Sequence, residues 1–149
     1  MAYTLEVGKK APDFNLLGTD NLFHDLASYS KYKLLIISFT CNHCPYVIGS
    51  DETTRKTVEK YSQESIKLVC INSNSKNTYE EDSFENMQAR MLEHQFPWDY
   101  LHDESQEIAS NYGALKTPHF FVFDSERSLI YTGRAVSYTH LTLPTRSLV

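Results

Sequence analysis

The sequence lacks the features of a membrane protein or a nucleic-acid-binding protein. No apolar run in its 149 residues approaches the ~18 residues that a membrane-spanning helix needs. The first eight residues contain neither a basic segment nor an apolar one, so we see no secretory signal and expect a cytoplasmic location. The formal net charge is −5 and no stripe of Lys and Arg is present. We therefore expect neither a membrane nor a nucleic acid as a partner.

Cysteine is scarce as well, and the three residues are too few and too uneven in number for a disulfide scaffold. Cys70 lies in an apolar run and is expected to be a small buried side chain. Cys41 and Cys44 form a Cys-x-x-Cys pair, which near a strand-helix-strand pattern is typical of a redox dithiol. A structural zinc site usually needs a second pair, so we expect no metal and no other cofactor. A zinc-stapled interaction module is the non-enzyme alternative.

The length suits one domain with a single core, and the residue pattern around the thiols predicts a parallel βαβ unit. The apolar run at 33–39 is typical of a central strand covered on both faces. A helix is predicted at 45–62 and a second buried strand at 66–71. Such a unit should have parallel strands and a right-handed crossover.

Further elements are predicted on either side of this unit. Residues 22–26 can pair with a short strand before 18 as an N-terminal hairpin, and 119–123 should pair with 128–132 as a second one. A helix at 82–94 begins at Asp82 or Ser83 and presents one apolar face. A capping box at 103–106 starts a last helix that ends at Gly113. The apolar face of helix 82–94 is predicted to contain Phe84, Met87, Met91 and Leu92.

The position of the dithiol suggests its chemistry. A helix start presents unpaired amides and the positive end of the helix dipole, which together lower the pKa of Cys41. Protonated His43 would act in the same direction and shift the potential toward the oxidising part of a range of roughly −270 to −120 mV. We expect Cys41 to be the exposed nucleophile and Cys44 the resolving thiol. Thr40 and Asn42, with His43, are expected to tune or position the pair.

Six motifs, taken in order, resemble the thioredoxin-like redoxin family of the alkyl hydroperoxide reductase and thiol-specific antioxidant superfamily. The Cys-x-x-Cys string is the most specific of them, and the resemblance covers about residues 5–134. The motifs are Ala-Pro-Asp-Phe from Ala11, Phe-Thr-Cys-Asn-His-Cys-Pro-Tyr from Phe39, Ile-Asn-Ser-Asn from Ile71, Glu-Asp-Ser-Phe-Glu-Asn-Met from Glu81, Asp-Glu-Ser-Gln from Asp103 and Lys-Thr-Pro-His from Lys116.

The resemblance implies a thioredoxin fold, an α/β fold with a central mixed sheet flanked by helices, here with an N-terminal β-hairpin extension. It implies a thiol-disulfide oxidoreductase with a role in antioxidant and redox homeostasis. Cys41 and Cys44 would be the redox pair, and Thr117 and Pro118 the cis-proline loop that faces it and holds substrate. The implied partners are a protein or small-molecule disulfide and a dithiol reductant, with the oligomeric state left open.

Two departures from related families bear on the activity. Thioredoxin itself has Trp before its first cysteine and Gly-Pro between the pair, where this chain has Thr40 and Asn42-His43. A thiol peroxidase of the peroxiredoxin type is the alternative enzyme. Its Pro-x-x-x-Thr-x-x-Cys motif, ending at Cys44, would meet Ile37 and Cys41 here, so the peroxide-activating pocket is not expected.

The last residues are expected to be foreign to the fold. Residues 136–145 read Val-Ser-Tyr-Thr-His-Leu-Thr-Leu-Pro-Thr, which resembles one reading frame of a transposase-based sequencing adaptor. We predict a redoxin domain over residues 1–135 and an adaptor-derived tail over 136–149. Family members continue beyond the position of Arg134 into a further helix and a cysteine-containing tail, so the last helix is expected to be missing.

Overall fold

A computed structural model describes residues 4–42, 45–61, 65–74, 82–114 and 118–134, with the backbone alone for 45–50 and 134. A 3₁₀ helix, Leu26–Tyr29, follows the second strand. The other elements are β1 Asn15–Gly18, β2 Phe23–Asp25, β3 Leu34–Thr40, α1 Pro45–Lys60, β4 Ile66–Asn72, α2 Phe84–His94, β5 Asp99–His102, α3 Glu107–Tyr112, β6 His119–Phe123 and β7 Leu129–Arg134. Strands and helices alternate from β3 to β6, whereas β1 and β2, and likewise β6 and β7, are consecutive strands.

The described strands form one mixed sheet in the order β2-β1-β5-β4-β3-β6-β7. β3 pairs in parallel with β4, and β4 with β5, which confirms the predicted βαβ unit. β6 pairs antiparallel with β3 and with β7, so the C-terminal hairpin is also confirmed. The N-terminal hairpin joins the opposite edge, where β1 runs antiparallel to β5. No helix in the described ranges is long and apolar enough to cross a membrane.

Alternate residues of each strand pack on opposite faces of the sheet. On one side, which we call the apolar face, Leu35, Ile37 and Phe39 of β3 pack in a core that includes Tyr112 of α3. On the other side, the cavity face, Leu68 of β4 packs in a second core with side chains of α1 and α2. Helices therefore cover both faces, and the site described below lies on the second.

Helix α2 confirms most of its predicted pattern but not all of it. The Ser83 hydroxyl accepts a hydrogen bond from the amide of Asn86 and caps the helix. Met87 is fully buried, whereas Leu92 is 77% exposed. Leu92 was wrongly placed on the apolar face, because at 3.6 residues per turn it points about 140° away from Met87.

The predicted capping box before α3 is also corrected. Gln106 occupies the N-cap position with a left-handed φ of 66° and makes no side-chain cap. The buried carboxylate of Asp103 instead reaches forward and accepts hydrogen bonds from the amides of Ile108 and Ala109, at 3.3 and 2.9 Å. Gly113 ends the helix at φ 65°, as expected for a C-terminal glycine.

Candidate active site

Cys41 follows the last residue of β3, and α1 begins four positions later at Pro45. This placement between strand and helix agrees with the sequence-based prediction. The exposure does not, because Cys41 is only 1% exposed. Its side chain lines a small, partly open cavity, and the predicted exposed nucleophile is therefore buried in this structure.

The other predicted site residues, apart from Asn42, which is described below, divide into two groups. Thr40 and Pro118 are buried and line the same cavity as Cys41, so the structure brings these three together. His43, Cys44 and Thr117 lie outside the described residues. The charge on His43, the resolving role of Cys44 and the cis bond before Pro118 therefore stay predictions.

The floor of the cavity is a row of side chains that crosses four strands. The strand register places Phe120 of β6, Ser38 of β3, Cys70 of β4 and Tyr100 of β5 side by side in that order. The cavity volume is about 30 Å³, enough for one water molecule but not for a substrate. Substrate must therefore approach Cys41 from outside this space.

Cys70 behaves as the sequence indicated. The side chain is 5% exposed and belongs to the core on the cavity face. Burial raises the pKa of the Cys70 thiol well above its usual range, and the nearby Asp51 carboxylate acts in the same direction. A thiol held in its protonated form is a poor nucleophile, so Cys70 serves packing rather than exchange.

The helices supply an ion pair to the wall of the cavity. Asp51 of α1 and Arg90 of α2 form a salt bridge with side chains that are 18% and 14% exposed. Burial raises the pKa of Asp51, and the adjacent Arg90 guanidinium offsets that rise only in part. The pair joins α1 to α2 close to the thiol, and the two residues are 39 positions apart in the chain, which hid it from sequence reasoning.

A second contact between the same helices is aromatic. The guanidinium carbons of Arg55 and Arg90 lie 4.9 and 5.1 Å from the ring centroid of Phe96, within cation–π range. Phe96 in turn stacks on Trp98 at a centroid distance of 4.6 Å. Both aromatic rings also line the cavity. The orientation of α1, whose start follows the dithiol, is thus fixed by α2 and the segment after it.

Asn42, the residue after Cys41, is held by groups from two other parts of the chain. Its backbone amide donates to Oδ1 of Asp82 at 2.6 Å, and its side-chain oxygen accepts from the Tyr100 hydroxyl at 2.8 Å. Asn72 donates to both Asp82 and Tyr100, at 3.1 Å each. Sequence reasoning gave these three no part in the site, although Asn72 directly after an apolar strand was a usable signal.

Comparison with known proteins identifies the family. The Redoxin family model matches residues 6–147. The chain belongs to the redoxin family. A search of the curated proteins finds no match.

Solved structures give the same result. An uncharacterized conserved protein from Geobacillus kaustophilus is 34% identical with a TM-score of 0.87, and the alignment covers 96% of this chain and 77% of that one. A hypothetical protein from Sinorhizobium meliloti is 31% identical with a TM-score of 0.86, over 95% and 80%. The thioredoxin domain of a thiol-disulfide oxidoreductase from Bacteroides vulgatus is 15% identical with a TM-score of 0.75, over 89% and 91%. The predicted family and thioredoxin fold are confirmed.

The family match extends into the segment predicted to be adaptor-derived, residues 136–149. That segment lies outside the described residues. The division at residue 135 and the missing last helix therefore stay predictions.

Proposed function

We propose that this redoxin is a thiol-disulfide oxidoreductase with Cys41 as its nucleophile and Cys44 as its resolving thiol. The observation that supports this most directly is the position of Cys41, at the carboxyl end of β3 and four positions before the first residue of α1. A thiolate there meets the positive end of a 16-residue helix. Pro118, which lines the same cavity, marks the chain segment against which a substrate backbone would be held.

The proposed reaction is two successive thiol-disulfide exchanges. The Cys41 thiolate attacks one sulfur of a substrate disulfide, the substrate S–S bond breaks, and the other substrate sulfur leaves as a thiolate. The Cys44 thiolate then attacks Cys41 in the mixed disulfide, which forms the Cys41–Cys44 bond and releases the second substrate thiol. Two electrons pass from the protein to the substrate. A dithiol reductant restores the pair by the same steps in reverse.

Burial of Cys41 sets a condition on this reaction. Cys41 as a residue is 1% exposed, so its sulfur reaches a substrate disulfide only after neighbouring groups have shifted. We expect a protein or small-molecule disulfide as the substrate and a role in redox homeostasis. The cytoplasmic location expected from the sequence is part of the same proposal.

The test is insulin reduction by the full chain with dithiothreitol as reductant. Cys41→Ser should reduce the rate to that of the reductant alone, because exchange begins at this sulfur. Cys70→Ser is the matched control, since it removes a thiol that is buried and held protonated, and it should retain the rate. If Cys41→Ser keeps the activity, the assignment is wrong.

Two further measurements separate the alternatives. Peroxide consumption faster than that of a free thiol would favour the peroxidase. Stoichiometric zinc in metal-free buffer, lost in Cys44→Ser, would favour the zinc-stapled interaction module over an enzyme.

A further inference from the structure

The acid Asp82 lies just before α2 and is fully buried, at 0% exposure. It contacts the backbone of the redox loop through the amide of Asn42. We propose that Asp82 is a positioning residue of the redox site, holding the Cys41–Asn42 peptide in place and restraining the reactivity of Cys41 by its charge. The inference rests on the proposed function, because it names what controls the nucleophile.

The first step of the argument is geometric. Asp82 Oδ1 accepts from the Asn42 amide at 2.6 Å and from the Asn72 side chain at 3.1 Å, while Oδ2 accepts from the Asn74 side chain at 2.9 Å. Asn72 ends β4 and is itself fully buried. The carboxylate therefore ties the loop after β3 to the end of the neighbouring strand. A loop fixed in this way presents its nucleophile in one orientation.

Tyr100 of β5 holds the side chain of Asn42. Its hydroxyl donates to the side-chain oxygen of Asn42 and accepts from Asn72. Burial raises the pKa of Tyr100 well above its usual range, so the hydroxyl keeps its proton and remains a donor. Asn42 is thus held at both its backbone and its side chain, which gives this residue between the thiols a structural reason to be Asn.

The second step is electrostatic. Asp82 receives hydrogen bonds on both oxygens, as an ionised carboxylate does. A buried negative charge next to the Cys41 backbone opposes a second negative charge on the Cys41 sulfur. It also occupies the Asn42 amide, one of the donors that a thiolate at this position would use. The charge of Asp82 therefore disfavours the thiolate of Cys41, whereas the start of α1 favours it. The reactivity of Cys41 depends on the difference between these two effects.

Other charged and titratable groups face Cys41 across the cavity. The described ones are the Asp51–Arg90 ion pair on α1 and α2, Cys70 on β4 and Tyr100 on β5. The ion pair has no net formal charge, and burial keeps the other two protonated. Tyr100 also bonds to the loop, through the side chain of Asn42. Asp82 differs from all of these groups in bonding to the loop backbone.

The chain offers a matched control in Asp103. This acid is also buried, at 1% exposure, and lies a few residues before a helix, as Asp82 does. Its carboxylate bonds to the Ser73 hydroxyl at 2.7 Å and to the first amides of α3. Asp103→Asn therefore removes a buried charge of the same kind without touching Asn42.

The experiment measures the pKa of Cys41 from the pH dependence of its alkylation by iodoacetamide, in full chains that carry Cys44→Ser. Asp82→Asn keeps an oxygen for the Asn42 amide but removes the charge, so the pKa should fall by about one unit. Asp103→Asn should leave it unchanged. Asp82→Ala also removes the acceptor of the Asn42 amide. Exchange with a model disulfide should then slow at least about tenfold at a pH where the thiol is ionised.

Circular dichroism establishes that each variant is folded. If Asp82→Ala is unfolded, the pKa measured in Asp82→Asn decides the test. If both Asp82 variants match Asp103→Asn in pKa and exchange rate, the inference is wrong even when insulin reduction depends on Cys41. If the pKa falls in Asp82→Asn but the intact chain reduces no disulfide, the positioning role stands and the proposed function fails.

Discussion

The two faces of the sheet are built from the same strands but differ in what they bury. The apolar face packs aromatic and aliphatic side chains against each other, and Phe121 contacts Phe39 and Tyr112 at centroid distances of 5.7 and 5.5 Å. The cavity face buries Ser38 and Cys70 in the middle of β3 and β4, and it leaves a small void beside Cys41. The apolar face is close-packed, whereas the cavity face is less closely packed beside the thiol of Cys41.

The difference shows how the redox loop can be held without being part of the core. Polar groups on the cavity face cluster at the carboxyl ends of the parallel strands, where Thr40 and Asn72 are paired in register. Hydrogen bonds there depend on position more strictly than apolar contacts do. Substitutions on the two faces should therefore separate stability from reactivity.

The largest loss of stability is expected from Phe121→Ala on the apolar face. Phe121 is fully buried among aromatic rings, and such a truncation leaves a cavity that reduces the free energy of unfolding by about 3–5 kcal/mol. Urea denaturation gives the value. The reactivity of Cys41 in the remaining folded protein should stay near that of the wild type. A large change in its alkylation rate would show that the two faces are not independent.

A smaller loss is expected from Arg90→Met on the cavity face, which leaves Asp51 in a largely buried position without its cation. Removing one partner of such a pair should lower the free energy of unfolding by about 2 kcal/mol at neutral pH. The partial exposure of both side chains keeps the value below that for a fully buried pair. The double variant Asp51→Leu with Arg90→Met should recover most of the loss. No recovery would mean that the ion pair is not what Arg90 contributes.

The single variant Arg90→Met also gives a prediction for how stability depends on pH. The pKa of Asp51 is raised in the folded protein, chiefly by burial. Its ionisation therefore lowers stability, and the loss is absent below the ordinary Asp value of about 3.9 and develops as the pH rises through the folded pKa. Arg90 opposes this rise, so the stability difference between Arg90→Met and wild type should be small near pH 4 and larger at pH 7. A difference independent of pH would contradict this assignment.

Tyr100→Phe should have a more modest effect. It removes the hydroxyl that donates to Asn42 and accepts from Asn72, and each of these two hydrogen bonds between neutral groups contributes about 0.5–1 kcal/mol. Urea denaturation measures the loss, and hydrogen exchange at the Asn42 amide should quicken. Tyr61→Phe is the control, because Tyr61 is 39% exposed and its hydroxyl should contribute less than about 0.5 kcal/mol. Equal losses of stability in the two variants would show that the Tyr100 hydroxyl does not help to hold Asn42.

The scaffold was more predictable from the sequence than the site, for a physical reason. The apolar run that became β3 indicates a buried strand from the local sequence alone, and the short segment 124–128 between β6 and β7 indicates a hairpin. The Asp51–Arg90 pair and the Asp82–Asn42 bond join residues about 40 positions apart, and each depends on how the helices settle on the sheet. The burial of Cys41 was missed because a strand-helix junction predicts where a thiol lies but not which way its side chain points.

The smallest effect is expected from Leu92→Ala on the outer side of α2. Leu92 is 77% exposed, whereas Met87 on the same helix is fully buried against the cavity face. Replacing Leu92 should change the free energy of unfolding by less than about 0.5 kcal/mol, and Met87→Ala should lower it by about 2–5 kcal/mol. Urea denaturation of both variants at several protein concentrations is the measurement. A loss above about 1 kcal/mol for Leu92→Ala that grows with concentration would show that a second copy of the chain covers this side of the helix.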